Sequence, residues 1–164
     1  MARLTGAAWF VRNARDFEWW RDRPGGHVAS FIEDRSAQVG VNLFVLEPGQ
    51  PMAMYHWEGD QEGFLVLSGE ALLIVDGEEH PLRQWDYFHC PPKVAHTIVG
   101  SGAGQTAILA LGFRSGADEG AYPVSEVARR HDASAEEDTD EPAVAYARFP
   151  REERAEFSEA WLDG

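Results

Sequence analysis

Between residues 41 and 113 the chain is a succession of short β-rich runs, VNLFVLE, GFLVLS, EALLIVDG, DYFHC, HTIVG and TAILALGF, divided by the turn-forming stretches PGQP, SGE, DGEE and GSGAGQ. Runs of this length, rich in β-branched and aromatic residues and punctuated by Gly, Pro and Asp, read as strands rather than helices. Several of them at close spacing, with no helical pattern between, predict an all-β sandwich or barrel. At 164 residues the chain is one domain's worth, long enough for a single sizeable core.

The flanks read differently, and no internal repeat is present. In residues 1–40, NARDFEWWRD offers an N-cap at Asn13 with Asp16 three residues on, and RPGGH then breaks the pattern, so a short helix is expected in an N-terminal extension that packs on the barrel. Residues 114–164 are expected as an acidic linker and a C-terminal helix. The stretch DASAEEDTDE holds six acids and no base, which suits a solvated connection. After it, PREERAEFSEAWLDG reads as a helix over 151–162, with Pro150 at its start and Phe157 and Trp161 four apart on one face.

Charge narrows the partners. Fourteen Lys and Arg against 28 Asp and Glu leave a formal net charge of −14, which argues against binding phosphate backbones or anionic membrane surfaces. No apolar run approaches the ~20 residues of a membrane span, and MARLTGAAWFVRN lacks the apolar stretch of a secretory signal. Cys90 is the single cysteine, so no intrachain disulfide can form. The expectation is a soluble, cytoplasmic protein.

Chemistry concentrates in YHWEGDQE, residues 55–62, just ahead of an apolar strand. On an extended strand His56 and Glu58, two apart, leave from the same face. A turn at Gly59 and Asp60 would bring Glu62 back toward that pair. Further on, CPPKVAHTIVG places His96 at the start of another strand. Imidazoles and carboxylates gathered inside a barrel are costly unless something pairs with them, and a divalent cation does so. His89 and Cys90 alternate faces, so at most one of them enters the same interior.

These residues resemble the cupins, small jelly-roll barrels. Their first motif is a glycine, a short gap, His-x-His, three or four residues, Glu, six residues and Gly. In PGQPMAMYHWEGDQEGFLVLSG the matching residues are Gly49, His56, Glu62 and Gly69, with six residues between the last two. The second motif is similar to WDYFHCPPKVAH, which supplies Pro91 and His96. Glu58 stands where the family has its second histidine, and Lys93 where it has the glycine after proline. The resemblance implies an all-β, antiparallel jelly-roll (cupin) β-barrel with short flanking helices, and a site for one divalent metal ion, Fe, Mn, Zn or Ni. It carries over His56, Glu62 and His96 as metal ligands; Glu58 is expected as the fourth ligand or as a catalytic base, because carboxylate oxygen can replace imidazole nitrogen on these metals.

Three functions fit this reading. The first is a metal-dependent enzyme, a non-haem oxygenase or an isomerase, acting on a small molecule. The second is a non-catalytic small-ligand binding or sensor cupin. The third is a structural cupin with a vestigial site. A homodimer formed through edge strands is the expected assembly.

Overall fold

The computed structural model describes residues 4–5, 9–116 and 118–161. Strands β1 (Leu4–Thr5) and β2 (Phe10–Val11) form a small hairpin, followed by β3 (Trp19–Arg21), β4 (His27–Ser30) and β5 (Val39–Leu46). Next come β6 (Trp57–Glu58), β7 (Glu62–Ser68), β8 (Glu70–Val75), β9 (Glu78–Arg83), β10 (Tyr87–Cys90), β11 (His96–Ser101) and β12 (Thr106–Phe113). The chain ends with β13 (Gly120–Ala121), the short helices α1 (Glu126–Arg129) and α2 (Pro142–Ala145), and β14 (Glu153–Ala155). Every pairing between the named strands is antiparallel.

Seven strands make the large sheet, in the order β10-β7-β12-β5-β4-β3-β14, and three make the second, β11-β8-β9. Alternate residues of both sheets meet in one core: Leu46, Phe64, Ile108 and Ala110 from the large sheet against Ala71, Leu73 and Ile98 from the small one. The strands alternate in burial because successive side chains leave opposite faces. Gly69 makes the passage from the large sheet to the small one possible. Its φ is +76°, and a Cβ there would collide with the Gln105 carbonyl, so only glycine fits.

A second apolar cluster lies on the outer face of the large sheet, where Phe17, Trp19, Ala29, Leu43, Val45 and Trp161 pack together. The rest of that face carries Tyr87, Leu111, Phe113 and Val39, all exposed.

Three local expectations change. The N-terminal helix is a single 3-10 turn, Ala14–Asp16, with Asn13 accepting from the Arg15 amide as its cap. No α-helix forms over 151–161, where the one helical element is a 3-10 turn at Glu159–Trp161, and residue 162 lies outside the described residues. Instead β14 adds to the edge of the large sheet, with Glu153, Arg154 and Ala155 opposite Arg21, Trp20 and Trp19. An isolated helix of about 12 residues is marginal in water, and pairing with an open edge satisfies the same backbone groups. The apolar pair holds nonetheless: Phe157 and Trp161 both pack on Trp19 with tilted rings, centroids 5.8 and 4.9 Å away. The acidic stretch expected as a solvated connection is packed at its start, where Ala133, Ser134 and Ala135 are buried while Glu136 and Glu137 stay exposed.

Candidate metal centre

The inner end of β11 and the segment before β6 meet at one pair of residues. His56 and His96 face each other in an antiparallel bridge, the His56 amide donating to the His96 carbonyl at 3.1 Å and the His96 amide to the His56 carbonyl at 2.8 Å. Their rings come within 5.3 Å of each other. Glu58 follows two residues after His56, and β7 begins at Glu62 after the turn, as the spacing predicts. The structure brings His56, Glu58, Glu62 and His96 together. Ligand-type atoms of His56, Glu58 and Glu62 all lie within 4.8 Å of one another, as do those of Glu62, Cys90 and His96.

Both imidazoles are oriented in the same way. His56 Nδ1 lies 2.7 Å from the Met54 carbonyl and His96 Nδ1 lies 3.1 Å from the Val94 carbonyl, each two residues back. A carbonyl can only accept, so each Nδ1 carries a proton, and each ring in its neutral form presents a lone pair at Nε2. This is the arrangement that outer-shell carbonyls impose on metal-bound histidines. His56 Nε2 faces Glu58 at 3.5 Å; His96 Nε2 faces Glu62 at 3.5 Å.

Among the described residues His96 Nε2 has no hydrogen-bond partner, although the side chain is 0 % exposed. Glu62 is too distant for a good hydrogen bond. An orphaned buried acceptor costs about 1–3 kcal/mol, so its retention next to two carboxylates and a second imidazole fits a cation-binding role. The donor set, two neutral nitrogens and two carboxylates, suits Fe, Mn, Zn or Ni.

Burial sets the charges. Glu62 is pushed up to about 7, first by burial and then by the Glu58 charge. His96 is pulled down to about 4 by burial and by the His56 charge. His56 behaves oppositely: burial pulls it down, but its pairing with the Glu58 carboxylate and the Glu62 and Glu58 charges outweigh that and raise it. The same pairing holds Glu58 below its ordinary range.

Cys90, the inward member of its pair, is buried while His89 is exposed. Its Sγ lies 3.3 Å from His96 Nδ1, the nitrogen turned away from Glu62, and burial pushes the thiol up to about 12. In the metal-free protein it packs against the imidazole as a neutral thiol.

Two tyrosines from the C-terminal segment had no signal in the sequence. The Tyr122 ring stacks on His56 at 5.7 Å, and Tyr146 meets Tyr122 edge-on at 5.7 Å. They come from beyond β13, which pairs with β6 beside the site. Lys93 closes the same rim. It holds φ +65° at the position where the resemblance calls for glycine, and an L side chain there costs roughly 1–2 kcal/mol. Its amide donates to the Glu58 carbonyl at 2.8 Å, its ammonium reaches Glu119 at 3.2 Å, and it lies 5.8 Å over the Trp57 ring. Trp85 is 68 % exposed in a turn away from these residues.

Fold and site together define a β-barrel protein with a candidate metal centre in its interior. Residues 42–112, a little under half of the chain, match the family model described as the Cupin domain. Among solved structures, a cupin-superfamily sugar phosphate isomerase from Silicibacter pomeroyi is 25 % identical at a TM-score of 0.55, covering 60 % of this chain and 65 % of that one. A cupin-like protein from Thermotoga maritima is 15 % identical at a TM-score of 0.58, covering 73 % and 90 %. A predicted oxalate decarboxylase, also from Thermotoga maritima, is 18 % identical at 0.56, covering 63 % and 97 %. The chain spans a little under two thirds of the isomerase structures it matches, at 65 % and 63 % of their lengths. The comparison with curated proteins gives no match.

Proposed function

We propose that this chain is a metal-dependent cupin enzyme that moves a proton on a small polar molecule, an isomerase-type reaction on a compound such as a sugar phosphate. The observation that carries this is the orphaned, buried Nε2 of His96 converging with His56 Nε2 and two carboxylates. His56, Glu62 and His96 would hold one divalent cation, which supplies Lewis acidity to a carbonyl or hydroxyl of the bound molecule. Glu58 is the residue for the proton. Its carboxylate is held below its ordinary range by His56 in the metal-free protein and would be kept ionised by the cation once His56 binds it, and at 47 % exposure it can reach a ligand entering from the mouth. Tyr122 forms an apolar wall against which such a ligand would lie. The isomerase among the similar structures agrees with this chemistry.

The test begins with elemental mass spectrometry of purified protein, which should give one Fe, Mn, Zn or Ni per chain. The loaded protein, incubated anaerobically with a sugar phosphate panel in deuterated water, should exchange a carbon-bound hydrogen for deuterium. Oxygen uptake instead would assign an oxygenase; metal without turnover would assign a binding or sensor cupin. Protein that stays metal-free after incubation with all four metals would overturn the reading. For assembly, a second copy is the proposed partner. The uncharged exposed residues Tyr87, Leu111, Phe113 and Val39 make the outer sheet face a better contact for two chains of this charge than an edge strand. Light scattering at micromolar concentration should give a dimer.

A further inference from the structure

The stretch that delivers His56 to the site has almost no sheet of its own. Pro51 pairs with Val99 and His56 with His96, but residues 53–55 between them belong to no strand. Their backbone groups are satisfied from elsewhere. The Thr97 hydroxyl donates to the Ala53 carbonyl at 2.6 Å. The Met54 amide donates to the Tyr146 hydroxyl at 3.1 Å, and the next amide, Tyr55, donates to the Ala133 carbonyl at 2.6 Å.

Two consecutive N–H groups thus end on acceptors from one segment, 133–146, which lies outside the cupin match at 42–112. The peptide whose N–H is bound by Ala133 is the one whose carbonyl receives His56 Nδ1 at 2.7 Å. Hydrogen bonds in such a chain polarise each other, so an acceptor on the N–H makes the carbonyl a stronger acceptor for the ring. Tyr146 is itself held in place, with its ring against Tyr122 and Phe149 and the Arg23 guanidinium 5.2 Å above it.

We propose that Tyr146, with the Ala133 carbonyl, is a positioning device for the metal centre: it clamps the Met54–Tyr55 backbone so that His56 is held as the Nδ1–H tautomer with Nε2 turned to the cation. This rests on the metal reading for its purpose, though not for its geometry. In a cupin whose second motif histidine is replaced by Glu58, one fewer imidazole fixes the metal, and the remaining first-motif imidazole gains from being locked by a segment outside the barrel.

The decisive variant is Tyr146→Phe, which keeps the ring packing and deletes the acceptor. Chelator competition should show affinity for Zn(II) or Co(II) falling about tenfold, the scale of losing an outer-shell partner. In metal-free protein at alkaline pH, long-range ¹H–¹⁵N spectra should show His56 almost wholly Nδ1–H in the wild type and a mixture in the variant. In the wild type alone, hydrogen exchange should find the Met54 and Tyr55 amides protected like the core strands. The clamp is overturned by unchanged affinity and tautomer in Tyr146→Phe, or by rapid exchange at both amides. A wild type that takes up no metal defeats the proposed function instead, and the tautomer and exchange measurements still decide the clamp.

Discussion

The two halves of the centre, His56 with Glu58 and His96 with Glu62, have the same composition and the same 3.5 Å Nε2-to-carboxylate spacing, yet opposite electrostatics. In the outer half Glu58 is 47 % exposed; the imidazole is raised, the carboxylate is lowered, and the pair is ionic. In the inner half His96 is fully buried and Glu62 13 % exposed; the imidazole falls to about 4, the carboxylate rises to about 7, and both are neutral near pH 6. Desolvation penalises the charged form of each group, and only where water reaches one partner does their attraction win. A cation restores the balance in the inner half, where it replaces the missing charge.

The largest effect should come from removing the imidazoles. His96→Ala and His56→Ala should each lower divalent-metal affinity by more than about 100-fold, as measured by chelator competition. Metal-free stability then separates the halves. Each Leu variant discards an Nδ1–carbonyl hydrogen bond, to Val94 or to Met54, but His96→Leu also relieves an orphaned acceptor and should leave the melting temperature nearly unchanged, whereas His56→Leu also loses the Glu58 pair and should cost about 1–2 kcal/mol. Equal losses in both variants would break the comparison.

Protons provide the next test. Metal binding must displace the proton of Glu62 below about pH 7 and that of His56 where its raised value leaves the ring charged, so affinity should climb with pH through 6–7.5. Titration calorimetry in buffers of different ionisation enthalpy should count the protons released, and Glu62→Gln should remove one.

The same groups act oppositely on metal-free stability. Glu62, raised from 4.5 to about 7, binds its proton more tightly in the folded state, so its contribution falls as pH rises across that window. His96, lowered from 6.5 to about 4, contributes stability above 6.5 that is lost as pH falls toward 4. Between 4.5 and 6.5 the two offset each other. Glu62→Gln removes the falling slope, so the stability of the variant relative to the wild type should rise over that range by something on the order of 2 kcal/mol in denaturant titrations.

Smaller effects distinguish Glu58 and Cys90. Glu58→Gln should retain metal if Glu58 serves as a base, with turnover lost, and weaken metal binding about 10–100-fold if it is a ligand. Cys90→Ala should keep metal within a few-fold, because the thiol lies behind His96, and should lose roughly 1 kcal/mol of packing. A metal-free outcome there would move Cys90 into the ligand set.

The strand runs of 41–113, the turn glycines and the spacing of His56, Glu58, Glu62 and His96 were legible because period-2 alternation and motif spacing are local properties. The same locality misread the C-terminal region. The residues of β14 have a helical apolar pattern, but the open edge of β3 decides their conformation. DASAEEDTDE looks like a solvated linker because its acids dominate the composition, yet its two alanines and serine are buried under contacts made by distant residues.

The sequence by itself determined that this chain is an antiparallel β-barrel and which side chains could gather within it, since alternation and turn chemistry are written residue by residue. Tertiary structure alone decided three things: which half of the centre stays charged, that Cys90 packs against His96, and that Tyr122 stacks on His56 with Tyr146 edge-on behind it. Each depends on how much water reaches a group and on partners far away along the chain, and neither desolvation nor long-range contact has a local signature.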